Sequence, residues 1–246
     1  MPMQTATPLD VALARARVLL VGVGGLGAPA AAALAAAGVG VLGLIDPDVV
    51  ELSNLHRQPL YESGDLGRPK VDVAAARLRA RTPQLRVETW RTRFGPDHGE
   101  LARSFDVVLD GTDTIGAKFV VNDATLAAGV PLVHAGVLGF RAQLLTVLPG
   151  RSACYRCVFE DPPPPGDVPS CQEAGVIGPL TALAGALQAA EAIRIITASG
   201  AAFADRLLTV DVRAGRWRTI PLAQNPRCPA CADRRIREAA GRSVVA

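Results

Sequence analysis

Hydrophobic runs alternate with amphipathic or alanine-rich segments through roughly the first 140 residues. The runs predict five strands, at 17–23, 39–45, 85–89, 105–109 and 130–137. The segments between them predict helices, at 29–37, 70–81 and 123–128. Apolar strands that alternate with helices are typical of a parallel sheet covered on both faces. The pattern therefore predicts an α/β fold with a Rossmann-like, doubly wound and mainly parallel sheet.

The second half of the chain has a different pattern. Three further apolar stretches predict antiparallel strands, at 143–148, 207–212 and 217–222. Four consecutive prolines at 162–165 predict a stiff crossing on the surface, and the long apolar segment 180–198 predicts a largely buried helix. We interpret residues 1–246 as one domain, with the parallel sheet in about 11–150 and the crossing, the long helix and the C-terminal part in about 151–235.

Composition argues against several classes of protein. Hydrophobic residues make up 49% of the 246 residues, which argues against disorder and allows a large buried core. The net charge of +3 and the lack of a basic run argue against nucleic-acid binding. The first ten residues show no signal-peptide pattern, so we expect a cytoplasmic protein.

One uncharged stretch, 18–45, is long enough to span a bilayer. It contains seven glycines and Pro29, and much of the rest is alanine. A strand, a turn and a helix buried in an α/β fold explain this composition better than a transmembrane helix does. We therefore expect no membrane-spanning segment.

The first predicted strand leads into a glycine-rich turn, Gly22-Val23-Gly24-Gly25-Leu26-Gly27, which opens the first helix. In such a turn, backbone N–H groups approach phosphates at the positive end of a helix. Asp46 follows the second strand, at the distance where a carboxylate suits a ribose hydroxyl. A purely structural turn is the alternative. The turn and the aspartate together predict a nucleotide site without separating ATP from NAD.

A polar cluster beyond the second strand separates the two nucleotides. Attack on phosphorus needs positive charge near the triphosphate and usually a carboxylate for Mg²⁺, whereas hydride transfer develops little phosphate charge. Arg57 and Lys70 supply the cations, and Asp113 supplies the carboxylate. Lys70 is one of only two lysines, and an ammonium is a common phosphate ligand; a solvated surface lysine is the alternative. The cluster favours an enzyme that consumes ATP.

Four of the five cysteines form two Cys-x-x-Cys pairs, Cys154 with Cys157 and Cys228 with Cys231. Such pairs are typical ligands of a tetrahedral zinc held by four thiolates, which leaves no open position for catalysis. Disulfide bonds are the alternative. The pairs predict a structural zinc knuckle that fixes the C-terminal part to the rest of the chain. The fifth cysteine, Cys171, follows the proline-rich crossing, where a loop can present a thiol, although single cysteines are more often inert.

Together these motifs resemble the ThiF/MoeB/HesA family, bacterial relatives of the ubiquitin-activating enzymes. The resemblance extends from residue 16 to residue 231. It rests on Gly-x-Gly-Gly-Leu-Gly (22–27), Asp-x-Asp (46–48), Ser-Asn-Leu-x-Arg-Gln (53–58), Gly-x-Pro-Lys (67–70), Thr-Asp (112–113), Cys-Tyr-Arg-Cys (154–157), Pro-Pro-Pro-Pro-Gly (162–166), Cys-x-Glu-Ala-Gly-Val (171–176) and Gln-Ala-x-Glu-Ala-Ile (188–193).

The resemblance implies an ATP-dependent adenylyltransferase. Its substrate would be the C-terminal glycine of a small ubiquitin-like sulfur-carrier protein (ThiS/MoaD-like) that ends in Gly-Gly. The carrier's carboxylate would attack the α-phosphorus of ATP, giving an acyl-adenylate and pyrophosphate ahead of sulfur transfer. The resemblance also implies a homodimer.

The resemblance assigns a role to individual residues. The residues that it assigns to ATP are Gly22, Gly24, Gly25, Gly27, Asp46, Ser53, Asn54, Arg57, Lys70 and Asp113. Among these, Arg57, Lys70 and Asp113 would act in catalysis, with Lys70 on the phosphates and Asp113 on Mg²⁺. Cys171 matches a loop cysteine that bonds covalently to the activated carrier in some members.

Three features depart from the family pattern. Many relatives begin with a helix carrying an Arg-Tyr-x-Arg-Gln motif, whose arginine reaches the ATP of the neighbouring subunit. Nothing here matches it, and we expect little room before the first strand, so Arg15 is only a candidate substitute. Thr114 stands where asparagine is usual, and Lys118 where arginine is common. These differences bear on turnover more than on the fold.

Two other functions stay open on the sequence. An NAD-dependent oxidoreductase could use the same glycine turn, although Arg57, Lys70 and Asp113 argue against it. A non-catalytic relative could bind a ubiquitin-like partner without activating it, and the unmatched N-terminal arginine is the support for that function.

Overall fold

One eight-stranded sheet organises the part of the chain that the computed structural model describes, residues 7–164, 167 and 174–232. The order across the sheet is β3-β2-β1-β4-β5-β6-β7-β8. The strands are β1 (Arg17–Val21), β2 (Val41–Ile45), β3 (Arg86–Trp90), β4 (Val107–Asp110), β5 (Leu132–Leu138), β6 (Arg141–Val147), β7 (Arg206–Asp211) and β8 (Arg216–Pro221). The first five pair in parallel, and β6, β7 and β8 continue the sheet as antiparallel strands.

Helices cover both faces of this sheet. They are α1 (Pro8–Arg15), α2 (Gly27–Ala36), α3 (Lys70–Arg81), α4 (Gly99–Arg103), α5 (Ile115–Ala128), α6 (Tyr155–Phe159) and α7 (Gly178–Ile196). Short 3-10 helices cover Leu52–Arg57, Ser63–Asp65 and Pro96–His98. One core cluster joins the sheet to α2, α3 and α7, and a second joins its other face to α5 and the cysteine region. The predicted fold class is confirmed.

The sheet reverses its winding direction at β1. The chain runs from β1 outward through β2 to β3, then returns to place β4 on the other side of β1. In sheets of this kind, ligands bind in the crevice at the carboxyl ends of the strands on either side of the reversal. The glycine turn follows β1 and the segment 110–113 follows β4, so both lie at this crevice.

Helices α1 and α5 differ from the sequence prediction. Helix α5 begins at Ile115, not near 123, because packing against the second core cluster outweighs the weak helix propensity of a glycine and several β-branched residues in its first half. The expectation of little room before β1 is wrong, since α1 fits there. Thr7 caps α1 by accepting from the backbone N–H of Asp10, while the Asp10 carboxylate accepts from the N–H of Thr7.

The uncharged stretch 18–45 forms β1, the glycine turn, α2 and β2, as predicted. Among the described residues, no helix combines the length and the apolar character that crossing a membrane requires.

Candidate active site

The glycine turn holds β1 and β4 together through close backbone contacts. Gly22 has a φ of +89°, and a Cβ atom there would lie 2.9 Å from the carbonyl carbon and oxygen of Gly111. A Cβ atom on Gly27 would lie 1.9 Å from the carbonyl oxygen of Gly22. These two glycines are therefore required by packing alone.

The two central glycines of the turn have a different environment. A Cβ atom on Gly24 would contact only the side-chain amide of Gln58, at 3.4 Å. A Cβ atom on Gly25 would lie 3.4 Å from Thr181 and 3.5 Å from Cδ of Arg57. Both glycines line the cleft described below. Their lack of a side chain leaves the backbone accessible to a ligand in the cleft.

Asp46 connects the end of β2 to this turn. One carboxylate oxygen accepts from the N–H of Val23 at 2.8 Å, and the other accepts from the N–H of Asp48 at 2.8 Å. The side chain is buried, and burial raises the pKa of Asp46 although the Lys70 ammonium opposes the shift. The carboxylate shapes the turn, and each oxygen keeps a further lone pair for a ligand.

Lys70 is a buried cation at the first residue of α3. Its ammonium lies 3.0 Å from the carboxylate of Asp48, whose side chain is exposed. Asp48 follows β2, so the pair places a positive charge beside the carboxyl end of that strand. The alternative of a solvated surface lysine is wrong, because only 5% of Lys70 is exposed.

The 3-10 helix after β2 positions the next predicted residues. Arg57 donates from Nη1 to the carbonyl oxygen of Ser53 at 3.1 Å. Asn54 is buried; its Nδ2 donates to the Ser53 hydroxyl at 2.8 Å, and its Oδ1 accepts from Gln58 at 2.9 Å. Gln58 thus locks the amide of Asn54 in one orientation.

Asp113 lies in the loop between β4 and α5. Its carboxylate is exposed and forms no hydrogen bond or ion pair with another described residue. The loop itself is firmly held, because the carboxylate of Asp110 accepts from both the N–H and the hydroxyl of Thr112. An uncommitted carboxylate on a fixed loop suits a hard cation such as Mg²⁺.

One cleft of about 1090 Å³ brings most of these residues together. The predicted residues in its lining are Gly22, Gly24, Gly25, Asp46, Asn54, Arg57, Lys70 and Asp113. Gly27 and Ser53 are not in the lining, although the first shapes the turn and the second supports Asn54 and Arg57. Cys171 lies outside the described residues. Arg15 is the last residue of α1 and lies just before β1. It is therefore at the amino end of that strand, whereas the cleft lies at the carboxyl ends of the strands.

Sequence reasoning missed several cations in the cleft. Arg93 lies beyond β3, and Arg141, Arg216 and Arg218 lie on β6 and β8. The three arginines on strands are far from the glycine turn in sequence, and no local motif marks them. The alternation of arginine with Trp217 on β8 was the only available signal.

The four paired cysteines form a compact cluster. Their sulfur atoms all lie within 4.8 Å of one another, with Cys154 3.8 Å from Cys157 and 3.5 Å from Cys228. A zinc ion with tetrahedral bonds of about 2.3 Å places its sulfur ligands about 3.8 Å apart. No disulfide bond joins any of these four cysteines, which disagrees with the disulfide alternative. The cluster therefore fits zinc.

Comparison with known proteins agrees with this geometry. The sulfur carrier protein adenylyltransferase of Thermus thermophilus is 44% identical over 198 residues, which cover 78% of this chain and 73% of that protein. The SAMP-activating enzyme E1 of Haloferax volcanii is 41% identical over 193 residues, covering 78% of this chain and 71% of that protein. The adenylyltransferase and sulfurtransferase MOCS3 of Sus scrofa is 44% identical, and the matched region covers 43% of its length.

Solved structures show the same fold. The crystal structure of E. coli MccB with MccA-N7isoASN has a TM-score of 0.81 at 22% identity, and the match covers 91% of this chain and 69% of that one. The model of the ThiF family matches residues 6–230. The family predicted from the motifs is confirmed, and named relatives are adenylyltransferases, the predicted enzyme class. The chain belongs to the ThiF family.

Proposed function

We propose that this chain is an ATP-dependent adenylyltransferase acting on the C-terminal glycine carboxylate of a small ubiquitin-like sulfur-carrier protein. The observation that carries the proposal is the lining of one cleft. It combines the accessible backbone of Gly24 and Gly25, the cations Arg57 and Lys70, and the Asp113 carboxylate, which has no partner among the described residues. The name of the Thermus relative supports the same reaction and the same class of substrate.

The reaction begins with the carrier's terminal carboxylate as nucleophile. A carboxylate oxygen forms a bond to the α-phosphorus while the bond from that phosphorus to the bridging oxygen of the β-phosphate breaks. Pyrophosphate leaves with the electron pair, and the acyl-adenylate stays on the carrier, ready for sulfur transfer. No proton transfer is needed in this step, so the task of the site is to hold the groups in line and stabilise charge.

Residues of the cleft would divide that task. The backbone at Gly24 and Gly25 would approach the phosphates, because no side chain blocks it. Asp46 and Asn54, with the Ser53 hydroxyl bonded to Asn54, would hold the nucleoside. Lys70 and Arg57 would neutralise the charge that develops on the leaving pyrophosphate.

Asp113 would hold Mg²⁺. When bound, the metal would neutralise charge on the triphosphate. The fit rests on a carboxylate that is exposed to the cleft and has no partner among the described residues.

The cleft continues from the nucleotide residues onto the antiparallel end of the sheet. Two cross-strand rows line it there, Gly136, Gln143, Thr209 and Arg218 in one, and Leu138, Arg141, Asp211 and Arg216 in the other. We propose that the carrier's Gly-Gly tail enters along these rows. Three arginines against one aspartate make the surface cationic, which suits a carrier with acidic residues beside its tail.

The proposal includes three further parts, of which the homodimer and the role of Cys171 come from the family resemblance. The four paired cysteines would hold a structural Zn²⁺, which fits their spacing. The chain would form a cytoplasmic homodimer with a single adenylation domain in each subunit. After adenylation, the thiol of Cys171 would lose its proton and attack the terminal acyl carbon of the carrier, forming a thioester as the bond to AMP breaks and AMP leaves.

The test of the main proposal is Mg²⁺-dependent exchange of labelled pyrophosphate into ATP, with Gly-Gly-ended carriers from the same organism. Exchange that requires one carrier and disappears in Lys70→Ala supports adenylation. The carrier that works also identifies the pathway, whether thiamin, molybdopterin or another sulfur incorporation.

A non-catalytic relative that binds a ubiquitin-like partner is the second candidate. Tight carrier binding without pyrophosphate exchange, in folded and zinc-loaded protein, would favour it. NAD found in the purified protein would instead favour an oxidoreductase.

A further inference from the structure

A fully buried carboxylate lies three residues before the proposed magnesium ligand. Asp110 ends β4 with no exposed surface. One of its oxygens accepts from the N–H and the hydroxyl of Thr112, at 2.9 and 2.6 Å. The other accepts from the Lys118 ammonium at 3.2 Å and from Nδ1 of His134 at 2.6 Å. Three side chains and one backbone N–H therefore saturate this carboxylate.

Lys118 completes a clamp around Thr112. Its ammonium donates to the carbonyl oxygen of Thr112 at 2.7 Å and to the carbonyl oxygen of Ala135 at 2.7 Å, in addition to Asp110. Thr112 is thus held by its N–H, its hydroxyl and its carbonyl group. Asp113 is the next residue, so the clamp fixes the backbone from which its carboxylate projects into the cleft.

His134 supports the clamp from β5. Its ring is fully buried, and Asp110 can only accept, so Nδ1 carries the proton and Nε2 does not. Burial and the nearby Lys118 lower the pKa of His134, which keeps the ring neutral. Nε2 has no hydrogen-bond partner among the described residues, an arrangement that is costly in a core.

Tyr155 closes the other side of the imidazole. Its ring centroid lies 4.4 Å from that of His134 and 4.9 Å from that of Phe119. The backbone N–H of Tyr155 donates to the side-chain oxygen of Asn122 in α5, which ties the first residue of α6 to α5. His134 is therefore held between β4 and α6 in the one orientation that aims Nδ1 at Asp110.

We propose that His134 is a positioning residue for adenylation, which holds the Asp110–Thr112–Lys118 clamp and through it the metal-binding orientation of Asp113. This inference rests on the proposed function, in which Asp113 holds Mg²⁺. Without the imidazole, one oxygen of Asp110 keeps only the longer bond to Lys118, and the loop that carries Asp113 loses a fixed point.

The test compares two variants of similar shape. His134→Asn keeps an N–H close to the position of Nδ1, whereas His134→Leu has the same branching without a donor. The control is Thr125→Val, because Thr125 is equally buried but its hydroxyl donates to the carbonyl groups of Val121 and Asn122 in its own helix. The readouts are the Mg²⁺ concentration for half-maximal exchange, the KM for ATP and the kcat, with calorimetric binding of Mg-ATP as a measurement independent of turnover.

We expect His134→Leu to raise the half-maximal Mg²⁺ concentration at least about tenfold, the usual effect of removing a group behind a metal ligand. His134→Asn should stay near the wild type, and Thr125→Val should leave the Mg²⁺ dependence unchanged. Wild-type Mg²⁺ dependence in His134→Leu would overturn the inference, as would equal impairment of all three variants.

Two further outcomes are informative. If His134→Leu does not fold, Thr112→Val is the second variant, because it removes the hydroxyl that donates to Asp110 at a half-buried position. It should raise the half-maximal Mg²⁺ concentration in the same way. A normal Mg²⁺ dependence in Thr112→Val overturns the inference. If wild-type protein binds Mg-ATP but exchanges no pyrophosphate with any carrier, the proposed function fails while calorimetry on the same variants still decides the role of His134.

Discussion

The carboxylate of Asp46 accepts a hydrogen bond from the backbone N–H of Val23 at 2.8 Å, so the end of β2 holds the second residue of the glycine turn. The hydroxyl of Tyr61 donates to the carbonyl oxygen of the same residue at 2.7 Å. Both the N–H and the carbonyl oxygen of Val23 are therefore held by hydrogen bonds to side chains. The turn presents its next two residues, Gly24 and Gly25, to the cleft in a conformation set by the protein before any nucleotide binds.

Two glycines of the turn should respond differently to a methyl group. Gly27→Ala should destabilise the chain by about 3 kcal/mol or more, because the new Cβ atom overlaps the carbonyl oxygen of Gly22. Gly24→Ala should fold normally, because its Cβ atom would meet only the side-chain amide of Gln58, at an ordinary van der Waals distance of 3.4 Å. It should raise the Kd for ATP about tenfold if the turn donates to phosphate. Urea unfolding measures the loss of stability, and calorimetry measures the affinity for ATP. Unchanged ATP affinity in Gly24→Ala would argue against phosphate binding by the backbone of the turn.

Lys70 provides the sharpest test of the phosphate-binding cations. Lys70→Met keeps the length of the side chain and removes the charge, so it should lower kcat for pyrophosphate exchange by about 100-fold or more. Arg68→Met is the matched control, because Arg68 is two residues away, is exposed, and pairs with Asp65 outside the cleft. Equal loss of activity in both variants would show a general effect of charge and not a phosphate contact.

Local motifs predicted much of this site. Asp46, Asp113 and the glycine turn each follow a strand of a parallel sheet, and such strand ends meet at one edge. The cysteine pairs were predicted because a Cys-x-x-Cys spacing specifies its chemistry within four residues. Helix α3 was predicted at its observed bounds, because its apolar residues recur with the helical period and Pro83 follows its end.

The clamp around Thr112 was not predictable in the same way. Asp110 and His134 are 24 residues apart, and the amide of Gln188, which donates to the carbonyl oxygen of Asp110, is 78 residues away. No periodicity joins such positions, and the only signal is a polar residue in an otherwise apolar strand or helix. Glu191 was unpredictable for the same reason. It is buried in α7, where its carboxylate accepts from the hydroxyl of Thr146, 45 residues away, and from the N–H of Phe203.

The buried histidine should make stability depend on pH. Burial lowers the pKa of His134 in the folded chain, while in the unfolded chain it stays near 6.5. Below about pH 6.5 the unfolded chain therefore binds a proton that the folded chain does not, and the free energy of unfolding falls as the pH falls. One such group contributes at most about 1.4 kcal/mol per pH unit.

Comparison of variants isolates this contribution. His134→Asn does not titrate, so its free energy of unfolding should change less between pH 7 and about pH 5.5 than that of the wild type. Thr125→Val, at an equally buried position without a titratable group, should keep the wild-type slope. Asp110 does not titrate between pH 7 and about pH 5.5. Lys118 and His134 overcome the effect of burial and hold the pKa of Asp110 below its usual value, so its contribution to stability is lost only in stronger acid. Equal slopes in all three proteins would contradict the prediction.

The cysteine cluster should bind one zinc ion in each chain. Burial raises the pKa of Cys228, so a bound cation is needed to keep that sulfur a thiolate. Cys231→Ser should lose the zinc and much of the stability, because the cluster joins α6 to the segment after β8. Cys171→Ser is the control and should keep full zinc content by elemental analysis. If Cys171→Ser also adenylates the carrier but no longer forms a thiol-sensitive conjugate with it, the proposed role of Cys171 is supported.

The arginines of β8 should control recognition of the carrier. Arg216→Glu with Arg218→Glu reverses two charges on the face of the sheet that lines the cleft, so it should raise the KM for an acidic carrier about tenfold or more. Arg206→Glu is the matched control, because side chains alternate along β7 and this arginine points to the opposite face from Thr209 and Asp211. ATP affinity should be unchanged in both proteins. A raised Kd for ATP in the double variant would instead indicate that these arginines bind the nucleotide. If the double variant and Arg206→Glu have the same KM for the carrier, the carrier's tail does not run along the two rows.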